Sequence, residues 1–312
     1  MPAIKKPRRG SLQYWPRKRA KRIYPSVKWK TIEDAKPVGF ASYKVGMTHV
    51  QYIKNNKPVV RAVTILEAPP LFVCGMRFYR KGENNNLNAF GEFWAEKLPK
   101  GIERKIGRHT PKNQFDFEKN KENVAEIRLI VCTQPTKSGM HKKKPELFEL
   151  GLGNNPEKQY DYGKGLIGKE LSIKDVFRPG EYCDVTSITK GYGFTGAVKR
   201  FGIKVQGRKD EQHHRHPGSI GSTTPRKVDW RVPMPGQYGF FQRTEYNKRI
   251  LMIGDNPNKI NKKAGFTGYG IVKGDYILLD GSVPGPRKRL VIISKPRRKA
   301  KYEPTEIKYI SM

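Results

Sequence analysis

His213, His214 and His216, with Asp210 and Glu211 just before them, form the densest group of potential metal ligands in the chain. Such a run offers imidazoles to a zinc-type ion, but a closed site needs four convergent donors. His49, His109 and His141 stand singly, and Cys74, Cys132 and Cys183 share no C-x-x-C spacing, so nothing completes the set. Imidazoles among cationic neighbours serve more simply as contacts to phosphates or bases. Ser219, Ser222, Thr223 and Thr224 lie near the same histidines. A hydroxyl nucleophile, however, also needs a base and a group to orient that base. Gly191-Tyr-Gly193-Phe-Thr-Gly196 matches G-x-G-x-x-G directly after an expected strand at 182–189, the fingerprint of a dinucleotide loop. Only Ala197 to Phe201 separate its last glycine from Gly202, too short for the crossover helix of a βαβ unit. No catalytic group, metal, cofactor or small-molecule substrate is therefore expected.

The chemistry that remains is recognition of a polyanion. From Val205 to Arg249 the chain has no long apolar alternation and no helical stripe, and prolines and glycines interrupt it throughout. Nine basic residues (Arg208, Lys209, Arg215, Arg226, Lys227, Arg231, Arg243, Lys248, Arg249) face four acids there. Compact domains rarely carry so long a loop without a function. Trp230, Tyr238, Phe240 and Phe241 argue against a solvated linker, which would be poor in aromatics. The stretch reads as an extended basic loop that becomes ordered inside folded RNA.

The whole chain supports that reading. Its 312 residues hold 63 Lys and Arg against 28 Asp and Glu, a formal charge of +35, which implies a polyanionic partner. A membrane surface is the competing polyanion, but no apolar run approaches the roughly 18 residues of a spanning helix. The N-terminal stretch lacks the apolar core of a signal peptide, and the three cysteines are expected as buried thiols in a reducing compartment. Residues 1–32 contain no acid; Lys5, Lys6, Arg8, Arg9, Arg17, Lys18, Arg19, Lys21, Arg22, Lys28 and Lys30 alternate with Tyr14, Trp15, Tyr24 and Trp29. Aromatics between cations suit an arm that stacks on bases while its charges meet phosphates; a nuclear-localisation patch is the plainer alternative.

The elements that must position these segments are mainly strands. Residues 39–53 read as two strands around a Lys44–Gly46 turn. In 57–66, Val59, Arg61, Val63 and Ile65 alternate with Val60, Ala62, Thr64 and Leu66, and Leu71–Arg80 is a further strand. Turns of Pro, Gly and Asn between them predict an antiparallel sheet or barrel. Residues 81–150 hold ten of the 28 acids and read as an inserted α/β subdomain, partly turned away from the RNA. Within it, Asn88–Lys97 suits a short helix, and Asn123–Pro135 a strand with Ile127, Leu129 and Val131 on one face. Ser172 can cap a short helix ending near Pro179. Strands follow at 182–189, 250–253, 276–279 and 290–293.

Five segments resemble a known family. Arg8–Ala20 (RRGSLQYWPRKRA), Lys44–His49 (KVGMTH), Thr189–Gly202 (TKGYGFTGAVKRFG), Gly236–Ile250 (GQYGFFQRTEYNKRI) and Gly281–Arg289 (GSVPGPRKR) are similar to the signature segments of large-subunit ribosomal protein L-three, in its archaeal and eukaryotic branch. They occur in the family's order. The resemblance implies a split antiparallel β-barrel, related to those of translation factors, and a finger reaching toward the peptidyl transferase centre. It also implies large-subunit ribosomal RNA and neighbouring large-subunit proteins as partners, early entry into assembly, and a cytoplasmic location. Tyr192 stands where the family usually has a basic residue, exchanging a phosphate contact for stacking. Thr223 stands about where this branch commonly has tryptophan, and PGSIGSTTP resembles the bacterial form of the tip.

The expected organisation is a basic arm (1–37), a discontinuous barrel (38–80, 165–204 and 250–295), the insert (81–164), the finger (205–249) and a basic tail (296–312). The expected RNA contacts are Arg8, Arg9, Arg17, Lys18 and Arg19 in the arm, then Lys190, Lys199 and Arg200. Along the finger they are Arg208, Lys209, His213, His214, Arg215, His216, Ser219, Gly221, Thr223, Thr224, Arg226, Lys227, Trp230, Arg231, Gln237, Arg243, Lys248 and Arg249. Arg287, Lys288 and Arg289 complete the set. Two rival functions are an RNA-modifying enzyme with GYGFTG as its cofactor loop, and a DNA-compacting protein with a preference for duplex.

Overall fold

The computed structural model describes residues 7–54, 57–99, 101–107 and 115–311. Lys5, Lys6 and His109, named above, lie outside them, as do parts of the expected arm and insert. Among the described residues the strands are, in order, β1 (Gly39–Lys54), β2 (Lys57–Glu67), β3 (Leu71–Lys81), β4 (Leu87–Trp94), β5 (Glu126–Cys132), β6 (Leu147–Gly151) and β7 (Glu170–Leu171). They continue with β8 (Tyr182–Ile188), β9 (Gly191–Thr195), β10 (Gly236–Gly239), β11 (Gln242–Gly254), β12 (Tyr276–Asp280), β13 (Leu290–Ser294) and β14 (Ile307–Ile310). The helices are short: α1 (Glu103–Ile106), α2 (Phe117–Asn120), α3 (Pro156–Leu166) and α4 (Ala197–Phe201). None is long and apolar enough to cross a membrane. The chain divides into two compact units, Met1–Arg22 with Ile188–Gln242, and Ile23–Ser187 with Arg243–Met312.

In the larger unit, strand pairing closes on itself. The hydrogen-bonded order is β13-β8-β11-β12-β2-β1, and β13 pairs back to β1, leaving β14 on the far half of β1. Strands such as β13 (LVIIS) are buried along their whole length, which is why they carry apolar residues continuously rather than in alternation. Residues 39–54 are one strand instead of two. Val45 is an extra residue between Lys44 and Gly46, buried as a bulge, so the apparent turn only shifts the register. β2 shows a switch along its length where a half-buried face was expected. It pairs with β12 only from Val63 to Glu67, and burial begins there.

A second antiparallel sheet has the order β4-β3-β5-β6, with β7 on β3. β3, expected in the barrel, therefore belongs to this sheet, and the expected helix at Asn88–Lys97 is the strand β4. The sequence LNAFGEFW has too many aromatic residues and too few good helix formers to resist pairing with β3. Helix α3 lies on β5, where the buried Gln159 side-chain oxygen accepts from Ile127 N at 2.8 Å. Ile127, Leu129 and Val131 are fully buried, as their spacing predicts. The Ser172 cap is present as a capping box with Asp175, on a single 3-10 turn, Ile173–Asp175.

One buried carboxylate fastens two loops to the ring. Glu67, at the end of β2, is fully buried. It accepts from Gly139 N (3.0 Å), Lys273 N (2.8 Å) and Gly274 N (3.1 Å), and from the Tyr269 hydroxyl. Gly139 permits this approach, since a Cβ there would sit 1.9 Å from the Ile271 carbonyl oxygen.

The second sheet also carries a charge network. Glu149 accepts from the Tyr79 hydroxyl at 2.7 Å and from Arg128 at 3.3 Å, and pairs with Arg77. Burial alone would push its carboxyl up, but these partners outweigh burial and hold it below the ordinary range. Glu146 is likewise pushed up by burial and held down by Lys142 and Lys105. A depressed carboxylate adds stability that is complete above its unfolded value, near 4.3, and fades as pH falls through its folded value. Thermal melts between pH 7 and pH 3 should therefore show stability lost below about pH 4. The Glu146→Gln/Glu149→Gln double variant should have a flatter acid limb; an unchanged limb would count against this source of acid sensitivity.

Candidate nucleic-acid interface

The smaller unit is built from charge and rings. By sequence, its two segments contain nineteen Lys and Arg and only three acids, Asp210, Glu211 and Asp229. Its one sheet is a two-stranded ribbon, in which Gly236, Gln237 and Tyr238 of β10 face Thr195, Phe194 and Gly193 of β9. The G-x-G-x-x-G match is thus strand β9, followed by the five-residue α4, which ends at Gly202.

The arm packs on this ribbon and its helix. Ala20 N donates to the Phe240 carbonyl at 2.9 Å, and an Arg8 guanidinium nitrogen to the Arg231 carbonyl at 2.8 Å. Arg17 donates to the Gly10 and Ser11 carbonyls at 3.0 Å, and its guanidinium lies over the rings of Trp15 and Phe201. Trp15 meets Trp230 edge to face at 4.9 Å, and Arg231 lies over Trp230. These contacts draw the arm and the far side of the loop together within one unit.

Most of the expected contact residues are solvent-facing here. Arg8, Arg9, Lys18, Arg19, Lys190, Lys199, Arg208, Lys209, His213, Arg215, His216, Ser219, Gly221, Thr223, Thr224, Arg226, Lys227, Trp230 and Arg231 are exposed. Arg17, Arg200, His214 and Gln237 are half-buried. Arg200 has an internal task, donating to the Gln237 carbonyl at 3.1 Å and the Met234 carbonyl at 2.7 Å. Burial lowers its pKa, because the charged guanidinium loses water. His213 and His216 meet ring to ring at 5.0 Å. Among the described residues no group of three His, Cys, Asp or Glu converges as a metal site. Gly221, at the outer part of the loop, has φ of 142°, where an L side chain is strained.

The remaining expected contacts fall in the larger unit, and one is overturned. Arg249 was expected to face RNA, but its side chain is buried. It donates to the Tyr52 hydroxyl at 2.8 Å and to Glu303 at 3.1 Å, with Asp280 at 3.8 Å. The reason is that residues 242–249 are not loop but the first half of β11, and burial along that strand sets in at Arg249 and continues through Leu251. Lys248 pairs with Glu245 at 2.7 Å, and Arg243 and Arg289 are half-buried. Arg287 donates to the Thr267 carbonyl, while the Lys288 and Arg287 side chains remain exposed. The expected tail is likewise not free throughout, since β14 pairs with Val50–Tyr52 of β1.

The contact set omitted the ribbon's aromatics. Tyr192 stacks on Tyr238 at 5.1 Å, with Lys190 and Lys199 beside its ring at 5.8 and 4.7 Å. Phe194 is 79% exposed. A tyrosine and a phenylalanine set between three glycines, with nothing apolar to pack against, was the available signal.

Known proteins resemble the chain over its full length. The family model described as Ribosomal protein L3 matches residues 1–311. A protein of Methanocaldococcus jannaschii named large ribosomal subunit protein uL3 is 43% identical over 325 residues, covering 99% of this chain and 97% of the relative. The protein of that name from Nanoarchaeum equitans is 46% identical over 320 residues, covering 98% and 96%. That from Pyrobaculum aerophilum is 44% identical over 323 residues, covering 96% and 94%.

Proposed function

The chain belongs to the ribosomal protein L3 family, and from that premise we propose that its smaller unit is the surface that binds large-subunit ribosomal RNA. The protein is a structural ribosomal constituent and not an enzyme; the large subunit, and the protein with it, lies in the cytoplasm. The observation that carries the RNA-binding reading is the segregation of charge: nineteen cations and three acids in the unit formed by the arm and the loop. Exposed guanidinium and ammonium groups there meet phosphates, which position a protein on RNA without reading its sequence. The loop is the finger directed toward the peptidyl transferase centre, and early assembly follows from contacts that tie distant RNA segments together. Neighbouring large-subunit proteins are the other partners.

The test is co-sedimentation of the tagged protein with large subunits at moderate salt. Recovery wholly in the free pool would sink the proposal. A purified protein that bound a nucleotide or methyl-donor cofactor would favour an RNA-modifying enzyme instead.

Finger and scaffold are separable in this reading. Residues 207–235 contain no buried residue. Replacing them by a short glycine-serine linker removes the arm's contacts to Trp230 and Arg231 but should leave the larger unit with a cooperative melt and an unchanged midpoint. Subunits assembled with the shortened protein should be impaired in peptide-bond formation. Global unfolding of the variant would show that the loop belongs to the core.

A further inference from the structure

We propose that Phe194 is a stacking anchor for an unpaired RNA base, a role that rests on the rRNA-binding reading above. Among the described residues, Phe194 is the most exposed of the large apolar side chains, at 79%. Several other aromatics in its unit have a ring or cation against them: Tyr192 has Tyr238, Trp15 has Trp230 and Arg17, Phe201 has Arg8, Arg17 and Arg200, and Phe240 has Arg19. Phe194 has no such ring or cation contact among the described residues. It also lacks the polar handle that lets tyrosine or tryptophan sit comfortably at a wet surface.

The ribbon fixes where the ring points. Phe194 is opposite Gln237 in the register, so the two share a face, while Tyr238, the next residue, projects from the other. The register shifts between Tyr238 and Gly239, leaving Tyr192 as an extra residue that stacks on Tyr238, so that stack and its flanking lysines occupy one face and Phe194 the opposite one. Hydrogen bonds from Arg200 to the Gln237 and Met234 carbonyls brace β10 behind it. The result is an exposed hydrophobic plane on a strongly cationic unit.

Two classes of occupant could cover such a plane. A protein partner would meet the surrounding excess of cations and would need acids to match them. A nucleotide supplies both complements at once, a π-face for the ring and a phosphate for the cations in which the unit is rich. Base–aromatic stacking tolerates any base, so the anchor orders an unpaired nucleotide without demanding its identity.

The experiment uses the full-length protein and an in-vitro transcript of large-subunit ribosomal RNA, with affinity measured across a salt series. Phe194→Ala should weaken binding by about 5- to 100-fold, with the slope against salt unchanged because no phosphate contact is lost. Phe194→Trp should restore binding, and Phe194→Leu should not. Wild-type affinity in Phe194→Ala would overturn the anchor while leaving rRNA binding intact. Full rescue by leucine would overturn stacking in favour of a plain apolar contact. Failure of the wild type itself to bind would remove the rRNA-binding reading and the anchor with it.

Discussion

Raising salt from 50 to 200 mM is expected to weaken binding of the protein to large-subunit ribosomal RNA by about a thousandfold or more. Each phosphate neutralised by Lys or Arg releases counterions, and six to ten such contacts on duplex DNA cost about 10³ to 10⁵ over that range. Folded RNA changes the coefficient but not the sign. The smaller unit offers well over ten exposed cations, from Arg8 and Arg9 through Arg226, Lys227 and Arg231, with few acids to neutralise them. Filter binding in a salt titration measures the slope directly. Removing Arg226 should lower affinity across all RNA sequences and reduce the slope by about one contact's share. A flat titration would mean that something other than charge holds the complex.

The second large effect is on stability. Replacing Glu67 by alanine leaves three backbone N–H groups and one tyrosine hydroxyl without their buried acceptor. Each such orphan costs about 1–3 kcal/mol. Stability of a folded domain is itself only about 5–15 kcal/mol. The variant should therefore unfold at much lower urea concentration, and the segments around Gly139 and Lys273 should lose hydrogen-exchange protection first. Glu67→Gln keeps one acceptor oxygen but turns an NH₂ group toward donors, so it should fall between. A urea midpoint shift worth under about 1 kcal/mol in the alanine variant would show that the loops are held by other means.

Glu67 also shows where sequence reading ends. It follows an apolar run, VVRAVTIL, and nothing local marks it as buried, because its partners come from loops 72 and more than 200 residues away. Arg249 failed for a similar reason. Its neighbours in sequence are basic and polar, yet strand β11 carries it inward to Tyr52 and Glu303. Val63 to Leu66, Ile127 to Val131 and Leu290 to Ile293 were legible because continuous or periodic apolar residues state their burial locally. The interface was legible at the level of charge, which composition reports without any fold. Phe194 was not, since an aromatic residue in a strand normally signals core. The glycines around it hint otherwise, and the folded ribbon, which leaves Phe194 79% exposed opposite Gln237, shows that this one faces outward.

The pairing of β1 with β13 sets a timetable for synthesis. Gly39 hydrogen-bonds opposite Ser294, so the ring has no closing partner until about 255 further residues have been polymerised. At typical elongation rates of about 5–20 residues per second, that interval lasts roughly ten seconds to a minute. Throughout it, the Gly39–Tyr43 half of β1 presents an unpaired edge, the kind of surface on which nascent chains stick to one another. The arm, which precedes β1 in the chain, presents its acid-free residues 1–32 during the same interval. A growing chain of this design carries an open-edged sheet until β13 has been made, and only then becomes a sealed one.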